Sequence, residues 1–305
     1  MSDGNGNDRQ RPGEHALTVL VAGATGYLGR HVVADLLAEG HEVRALVRDP
    51  DALAQEGTSG APAIPAGSCE VVVGDVTDPA SLRGVADGVD VVVSAIGVTG
   101  STADPWAIDH RGNLALLDET LRAAGPRFAY VNVLDGERIA SDVTRAKAAF
   151  ADVLRRSRAE YLIVNPSGFF SDFSAYFEMA RSGLVVLVDG GRARANPIHG
   201  ADLAAVIRRH LEAGTGGDID VGGPEVMTHR EAAQAAFTAL GKRPRIVSMP
   251  SVVLRAVRVP MRAASPARAG LMDFMVSALT EDSVAPPAGN RVLSEYYAEC
   301  ARRGR

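Results

Sequence analysis

The chain has 305 residues, 46% of them hydrophobic, which is enough to bury a large core. Its formal net charge of −5 argues against nucleic acid or an anionic membrane as the main partner. No apolar run reaches the ~18 residues that a membrane-spanning helix needs. The two cysteines, Cys69 and Cys300, predict neither a disulfide framework nor a metal site. We therefore expect a soluble, cytoplasmic protein.

The segment Leu17–Arg48 predicts a strand, a glycine turn, a helix and a second strand. Leu17–Ala22 is a short apolar run rich in β-branched residues, which is typical of a parallel strand buried on both faces. Gly23 then permits a tight turn, Gly26 lets the backbone approach a pyrophosphate, and Gly29 lets the helix pack closely on the sheet. The pyrophosphate would lie on the free N–H groups of the helix N-terminus. The predicted dinucleotide contacts in this turn are Gly23, Thr25, Gly26, Tyr27, Leu28 and Gly29.

The second strand, Glu42–Arg48, bears on which dinucleotide is bound. A site for NAD usually carries Asp or Glu near its end, to bind the ribose hydroxyls. Arg48 stands there instead, and a guanidinium can hold a 2′-phosphate through paired hydrogen bonds. Arg30 is a candidate second contact. We therefore expect NADP(H), with a solvated surface arginine as the alternative interpretation of Arg48.

Strands and helices continue to alternate along the chain. The later strands are predicted at Cys69–Asp75, Asp90–Ile96, Arg127–Val133 and Tyr161–Pro166, the first two of them buried. The intervening helices are predicted at Pro79–Ala86, Pro105–Ala124 and Asp142–Ser157. Repeated β-α-β units with apolar strands predict an α/β fold, a doubly wound parallel sheet of the Rossmann type.

We expect three regions in the chain. Residues 1–15 are polar, lack the apolar stretch of a signal peptide, and are predicted to form a disordered tail. Residues 16–166 form the predicted NAD(P)-binding domain, and 167–305 a smaller C-terminal substrate lobe, with a strand at Asp218–Val221 and a helix at Thr228–Leu240. Aromatic side chains that could form a substrate wall, or ordinary core packing, are Trp106, Phe169, Phe170, Phe173, Tyr176 and Phe177.

Several segments resemble the atypical short-chain dehydrogenases/reductases, in particular the NmrA-like group that includes divinyl-chlorophyllide-reductase-like and complex I accessory-subunit-like proteins. The matching segments are GATGYLG (23–29), GDVTDPASL (74–82), HRGNLALLDETLRAAG (110–125), RAKAAF (145–150), NPSGFF (165–170) and NPIHGADLA (196–204). This resemblance implies that Asp75 and Val76 flank the adenine and that Ala95, within Ser94–Gly97, lines the cofactor. It further implies that Pro166 and Ser167 border the nicotinamide and that Lys147 binds the nicotinamide ribose.

The chain departs from that family at the catalytic residues. The usual Tyr-x-x-x-Lys pair retains Lys147, but Val143 occupies the tyrosine position and Asn132 stands where a serine is expected. Because valine cannot donate a proton, the tyrosine mechanism is excluded there. Groups that could replace the tyrosine are Tyr27, Asp135, Asp172 and His199, and each also has a structural interpretation as a turn, cap or packing residue.

Protonation by solvent is the other alternative, because hydride addition to an enone or quinone gives a stabilised anion. The leading interpretation is an NADPH-dependent reductase of a small apolar or aromatic molecule. A non-catalytic NADP(H)-binding sensor or structural subunit, and a non-redox epimerase or dehydratase, stay open. We expect a small-molecule partner and no metal, nucleic acid or membrane, and leave a homodimer open.

Overall fold

The computed structural model describes residues 16–98, 103–123, 125–139, 141–254, 256 and 266–304. The predicted disordered tail, residues 1–15, lies outside these described residues. Among the helices of the described part, none is long and apolar enough to cross a membrane.

The centre of the fold is a seven-stranded parallel sheet in the order β3-β2-β1-β4-β5-β6-β9. Its strands are β1 (Thr18–Ala22), β2 (Glu42–Val47), β3 (Glu70–Val73), β4 (Val91–Ser94), β5 (Arg127–Val131), β6 (Tyr161–Pro166) and β9 (Gly217–Val221). The strand order reverses direction between β1 and β4, and a doubly wound sheet binds its ligand in the crevice at such a point. The predicted fold class is confirmed.

Helices cover both faces of the sheet. The helices are α1 (Tyr27–Ala38), α2 (Asp51–Ala54), α3 (Asn113–Arg122), α4 (Asp142–Arg156), α5 (Phe170–Ser182), α6 (Gly200–Glu212), α7 (His229–Ala239), α8 (Pro266–Thr280) and α9 (Leu293–Arg303). Alternate strand residues point to opposite faces, so Val19 and Val21 pack under α1 and α6, whereas Leu20 and Ala22 pack under α3 and α4. Strands buried on both sides explain the continuous apolar runs in the sequence.

The prediction that the third strand is buried is wrong. β3 is shorter than predicted and lies at the edge of the sheet, where Val71 and Val73 are 41% and 59% exposed. An apolar run shows that a segment favours a strand, but it does not show how many neighbours that strand has.

The central sheet also extends beyond the predicted boundary at Pro166. β9 pairs with β6, and α6 packs against α1. The chain after Pro166 therefore completes the sheet as well as forming a separate lobe.

The rest of the C-terminal portion packs around an aromatic core. It contains α5, α7 and α9 and two small sheets, β7 (Val185–Val188) with β11 (Ile246–Met249), and β8 (Arg194–Ala195) with β10 (Met227–Thr228). Phe170, Phe173, Tyr176 and Phe177 all lie in this core. The lobe is held beside the carboxyl end of β6, because α5 follows that strand directly.

Candidate functional site

The turn after β1 has the geometry that a dinucleotide requires. Gly23 has a φ of +81°, and a Cβ there would lie 2.8 Å from the carbonyl oxygen of Ala95. A Cβ on Gly29 would collide with the Gly23 carbonyl. By contrast, a Cβ on Gly26 would have a single neighbour within 4 Å, the Gly23 oxygen at 3.2 Å, which is a tight contact but not an overlap. The first and third glycines thus serve packing, and the second leaves room for a ligand.

The N-terminus of α1 is free to bind an anion. Within this fully described helix, Gly26 supplies no side-chain cap and the first turn contains no acidic residue. Leu28 is buried in the core, so it can offer a ligand only its backbone N–H. The uncapped N–H groups and the helix dipole together favour a pyrophosphate at this position.

Arg48 lies at the end of β2 with its guanidinium exposed. It forms no hydrogen bond or ion pair with any residue that the structure describes. The neighbouring Asp75 accepts hydrogen bonds from the backbone and hydroxyl of Thr77, and these bonds, with a smaller effect of Arg48, lower the pKa of its carboxyl group. Val76 packs against Gly112, whose missing side chain permits the close approach. Arg48, Asp75 and Val76 thus border the position expected for the adenosine.

Arg30 is not a phosphate contact, contrary to the sequence-based expectation. Its side chain is 3% exposed. Its guanidinium donates to the backbone carbonyls of Thr25, Ala52, Leu53, Gln55 and Pro62. Buried and bonded to these carbonyls, Arg30 fixes the loop after β2 on α1 and does not face a ligand.

Lys147 is buried at the carboxyl end of the sheet and is not a solvated helix residue. Its Nζ lies 2.9 Å from Oδ1 of Asp109 and 5.4 Å from the ring centroid of Tyr130. It also donates to the carbonyls of Ile96 and Val131, at 3.3 and 3.4 Å. Burial by itself lowers the pKa of Lys147, but Asp109 and Tyr130 together outweigh it and the pKa is raised. Lys147 is thus held as a cation.

Asp109 is the residue that the sequence interpretation missed. The predicted helix 105–124 begins as a π-helix, Trp106–Gly112, before α3, and Asp109 lies within it at 0% exposure. Its Oδ2 accepts the N–H of Val98 at 3.1 Å. Asn113, four residues on, donates to the Asp109 carbonyl and accepts from Ser94. Single π-turns are frequent at functional sites, and this one aims a carboxylate at Lys147.

The position expected for a catalytic tyrosine holds a buried apolar side chain. Val143 lies one turn before Lys147 on α4 and is 8% exposed. Asn132 follows β5, half-buried, with its Nδ2 donating to Oδ1 of Asn165 at 3.0 Å. The site therefore keeps the lysine of the usual Tyr-x-x-x-Lys pair but lacks the tyrosine that would donate a proton.

The four candidate replacements for the tyrosine all have structural partners. Asp135 is an exposed residue in the left-handed conformation, paired with Arg138. Asp172 accepts the backbone N–H of Phe169 at the start of α5. His199 caps α6 through Nδ1, and burial lowers its pKa. Tyr27 accepts the N–H of Gly200 at 3.1 Å.

Of the predicted substrate-wall residues, two belong to the core of the C-terminal lobe. Phe170 and Phe173 are 1% and 6% exposed, because they pack against α7 and α9. Phe169 remains half-buried, with its ring 5.9 Å from that of Tyr27. Trp106 is half-buried at the start of the π-helix. Phe169 and Trp106 are thus the aromatic residues of this set still accessible to a ligand.

Ser167 follows β6 and is also committed to the protein. It is buried, and its hydroxyl donates to the carbonyl of Asn196 at 2.6 Å. Pro166, the last residue of β6, is buried too, and its carbonyl accepts the N–H of Leu134. Both therefore shape the edge of the crevice through their backbone and packing rather than by offering a free polar group.

Residues 23–213 match the model of a family described as NAD(P)H-binding. The chain belongs to this family. The divinyl chlorophyllide a 8-vinyl-reductase of Oryza sativa subsp. indica is 31% identical over 255 residues, which cover 78% of this chain and 62% of the relative. The match to its Zea mays counterpart covers 63% of that protein, so the chain spans less than two thirds of these relatives. The ceramide reductase of Caulobacter vibrioides is 28% identical over 241 residues, 76% of this chain and 73% of the relative.

Among solved structures, an Escherichia coli NADPH-dependent quinone oxidoreductase complexed with NADPH has a TM-score of 0.71 at 18% identity. The match covers 92% of this chain and 99% of that one. This likeness concerns the fold. Together with the family match, the relatives confirm the resemblance to atypical short-chain dehydrogenases/reductases.

Proposed function

We propose that this protein is an NADPH-dependent reductase of a small apolar or aromatic acceptor, such as an enone or a quinone. The observation that carries the proposal is the pair Val143 and Lys147. The buried lysine of the family's catalytic group is kept, while the residue one turn before it offers no proton. Relatives named as reductases, one of them acting on a vinyl group, support this reaction class.

The preference for NADPH over NADH rests on Arg48. Arg48 is exposed and makes no hydrogen bond or ion pair with a described residue, although it interacts electrostatically with the neighbouring Asp75, and no carboxylate replaces it at the end of β2. A bound 2′-phosphate would gain charge-assisted hydrogen bonds from it. The uncapped N-terminus of α1 would hold the pyrophosphate.

Lys147 would bind the nicotinamide ribose. Its ammonium has three donors, and the contacts to Ile96 and Val131 are long, so a ribose hydroxyl can replace one of them. Asp109 would keep the ammonium charged and in place during that exchange. The cofactor, when bound, supplies a hydride, and the chain supplies orientation and electrostatics.

The missing tyrosine restricts the acceptor. An isolated ketone would become a strongly basic alkoxide and would need a nearby acid. A conjugated carbonyl or quinone becomes an anion stabilised by delocalisation, which water can protonate. The half-buried rings of Phe169 and Trp106 offer apolar surface for such an acceptor. The same missing tyrosine favours a second candidate function, a non-catalytic NADP(H)-binding sensor.

A direct test is an absorbance assay of NADPH oxidation with menadione, trans-cinnamaldehyde and hexanal. The proposal predicts oxidation by the quinone or the enal and none by the unconjugated aldehyde. Tight NADPH binding without oxidation by any acceptor would favour the sensor.

A companion test concerns the source of the proton. Asp135→Asn, Asp172→Asn and His199→Gln are each expected to change the rate less than tenfold, because solvent protonates the anion. A hundredfold loss in one variant that stays folded would identify its residue as the acid.

A further inference from the structure

Asn132 lies at the carboxyl end of the sheet, on the face that Lys147 also occupies. Phe128 and Tyr130 lie in the core that packs under α4, and two-residue alternation places Asn132 on that same face. The ammonium of Lys147 lies over the Tyr130 ring, and Asn132 is the next residue outward on that face. Asn132 is half-buried, and because it directly follows the carboxyl end of β5 it borders the crevice in which such a sheet binds its ligand.

A line of hydrogen bonds runs from Asn132 across two further strands. Its Nδ2 donates to Oδ1 of Asn165 on β6 at 3.0 Å, and Nδ2 of Asn165 donates to Oδ1 of Asp220 on β9 at 2.9 Å. Asn165 is 9% exposed and is the register partner of Asp220 in the sheet. The three side chains therefore form one chain of hydrogen bonds, which we call the relay. It runs from the exposed carboxylate of Asp220 through Asn165 to the half-buried Asn132.

The carboxylate decides which way both amides point. An ionised carboxylate can only accept, so Asn165 must turn its NH₂ group toward Asp220 and its oxygen toward Asn132. Asn132 must then present its own NH₂ group to that oxygen. One N–H of Asn132 is used in this bond. The second has no acceptor among the residues that the structure describes, so it can donate to an acceptor atom outside the relay.

We propose that Asn132 donates this second N–H to the substrate oxygen that becomes negative during reduction, and that Asp220 and Asn165 are positioning residues for it. The inference rests on the proposed reductase function and narrows its substrate class. A hydride adds to carbon, an electron pair moves onto oxygen, and solvent then protonates the resulting anion. The acceptor must therefore carry a carbonyl or quinone oxygen, because an isolated vinyl group has no atom for Asn132 to stabilise.

The test uses p-nitrophenolate, a stable oxyanion, titrated into the protein saturated with NADP⁺. The wild type is expected to bind it saturably. Asn132→Leu should weaken binding at least tenfold, whereas Asn132→Ser, which keeps a donor, should stay within threefold of wild type. Asp220→Asn should weaken it at least threefold, because the relay loses its fixed direction. No saturable binding to the wild type, or equal binding by Asn132→Leu, overturns the inference.

Asp218→Asn is the matched control. Asp218 lies on the same strand, two residues before Asp220, and pairs with Arg155 outside the relay. This variant should bind p-nitrophenolate as the wild type does. In protein with ¹⁵N-labelled asparagine, the side-chain amide signals of Asn132 and Asn165 should both shift in Asp220→Asn. Neither signal should shift in Asp218→Asn. Unshifted signals in Asp220→Asn would contradict the relay.

Two different failures can be told apart. If no acceptor oxidises NADPH but the Asn132 variants still differ in p-nitrophenolate affinity, the oxyanion site stands and the proposed reductase function falls. If NADPH is oxidised and the variants bind the anion equally, the reductase stands and the role of Asn132 falls.

Discussion

Nζ of Lys147 lies 2.9 Å from Oδ1 of Asp109, and both side chains are buried. The pair joins α4 to the π-helix before α3, next to the carbonyl of Ile96 at the end of β4. A charge this deep in the protein needs a partner, because its desolvation is costly. Asp109 therefore determines whether Lys147 can stay charged at the site.

Replacing Asp109 with asparagine should destabilise the fold and weaken cofactor binding together. The change leaves a buried ammonium without its counter-ion, which costs about 3–5 kcal/mol in comparable pairs. Denaturant unfolding should show that loss, and titration should show weaker NADPH binding.

The double variant Asp109→Leu/Lys147→Met is the control for that prediction. It removes both charges and should recover most of the lost free energy of unfolding, since no unpaired charge remains. It should still bind NADPH weakly. Unchanged stability of Asp109→Asn would contradict the buried ion pair.

Substitutions of the two arginines near the glycine turn should affect different properties, cofactor preference at Arg48 and stability at Arg30. Arg48→Ala is expected to raise the Kd for NADPH at least tenfold, a loss of roughly 1.5–3 kcal/mol, and to leave NADH binding unchanged. Arg30→Met removes hydrogen bonds to the loop after β2, so it should lower stability and leave the ratio of NADPH to NADH affinity alone. Equal wild-type titration curves for the two cofactors would refute the role of Arg48.

Gly26 and Gly29 differ in what an added side chain would displace: the ligand at Gly26, and the protein backbone at Gly29. Gly26→Val should still fold, with some loss of stability from its tight contact with the Gly23 oxygen, but should lose dinucleotide binding in calorimetry, because its side chain would occupy the place of the pyrophosphate. Gly29→Val should instead fail to fold properly, since its Cβ would collide with the Gly23 backbone. If Gly26→Val still binds the cofactor, the three glycines form only a turn and do not mark a dinucleotide site.

His31 makes the fold sensitive to acid. Burial, with smaller effects of His199 and Arg291, lowers its pKa to about 4, and its Nε2 has no hydrogen-bond partner among the described residues. Between the unfolded pKa of about 6.5 and the folded value, the unfolded chain binds more protons, so stability falls as the pH falls. His31 should account for about 3 kcal/mol of that loss. Unfolding curves of His31→Leu should decline less over this range; parallel curves would contradict the assignment.

The parts of the fold that follow from local pattern could be predicted from the sequence. The run Leu17–Ala22 and the three glycines specify their own geometry, and the apolar strands required helices on both faces. Strand order is not local, so the exposed edge position of β3 and the return of β9 to the sheet were not visible.

In the site, Lys147 was identified because it fills a motif position, whereas Asp109 was not. The contact of Asp109 with Lys147 depends on the π-turn, and nothing in the sequence around Trp106 distinguishes that turn from an ordinary α-helix. Arg30 has the same limitation: its partners are carbonyls in the loop after β2, which no side-chain pattern indicates.

The most direct test of the proposed reductase is single-turnover stopped flow with menadione as acceptor and NADPH deuterated at the transferring position. The protein-bound NADPH should be oxidised, with a primary isotope effect on the rate. Lys147→Ala should slow this step, and Lys147→Arg should restore it only in part. Tightly bound NADPH that is not oxidised by menadione or by any conjugated carbonyl would contradict the proposed reductase.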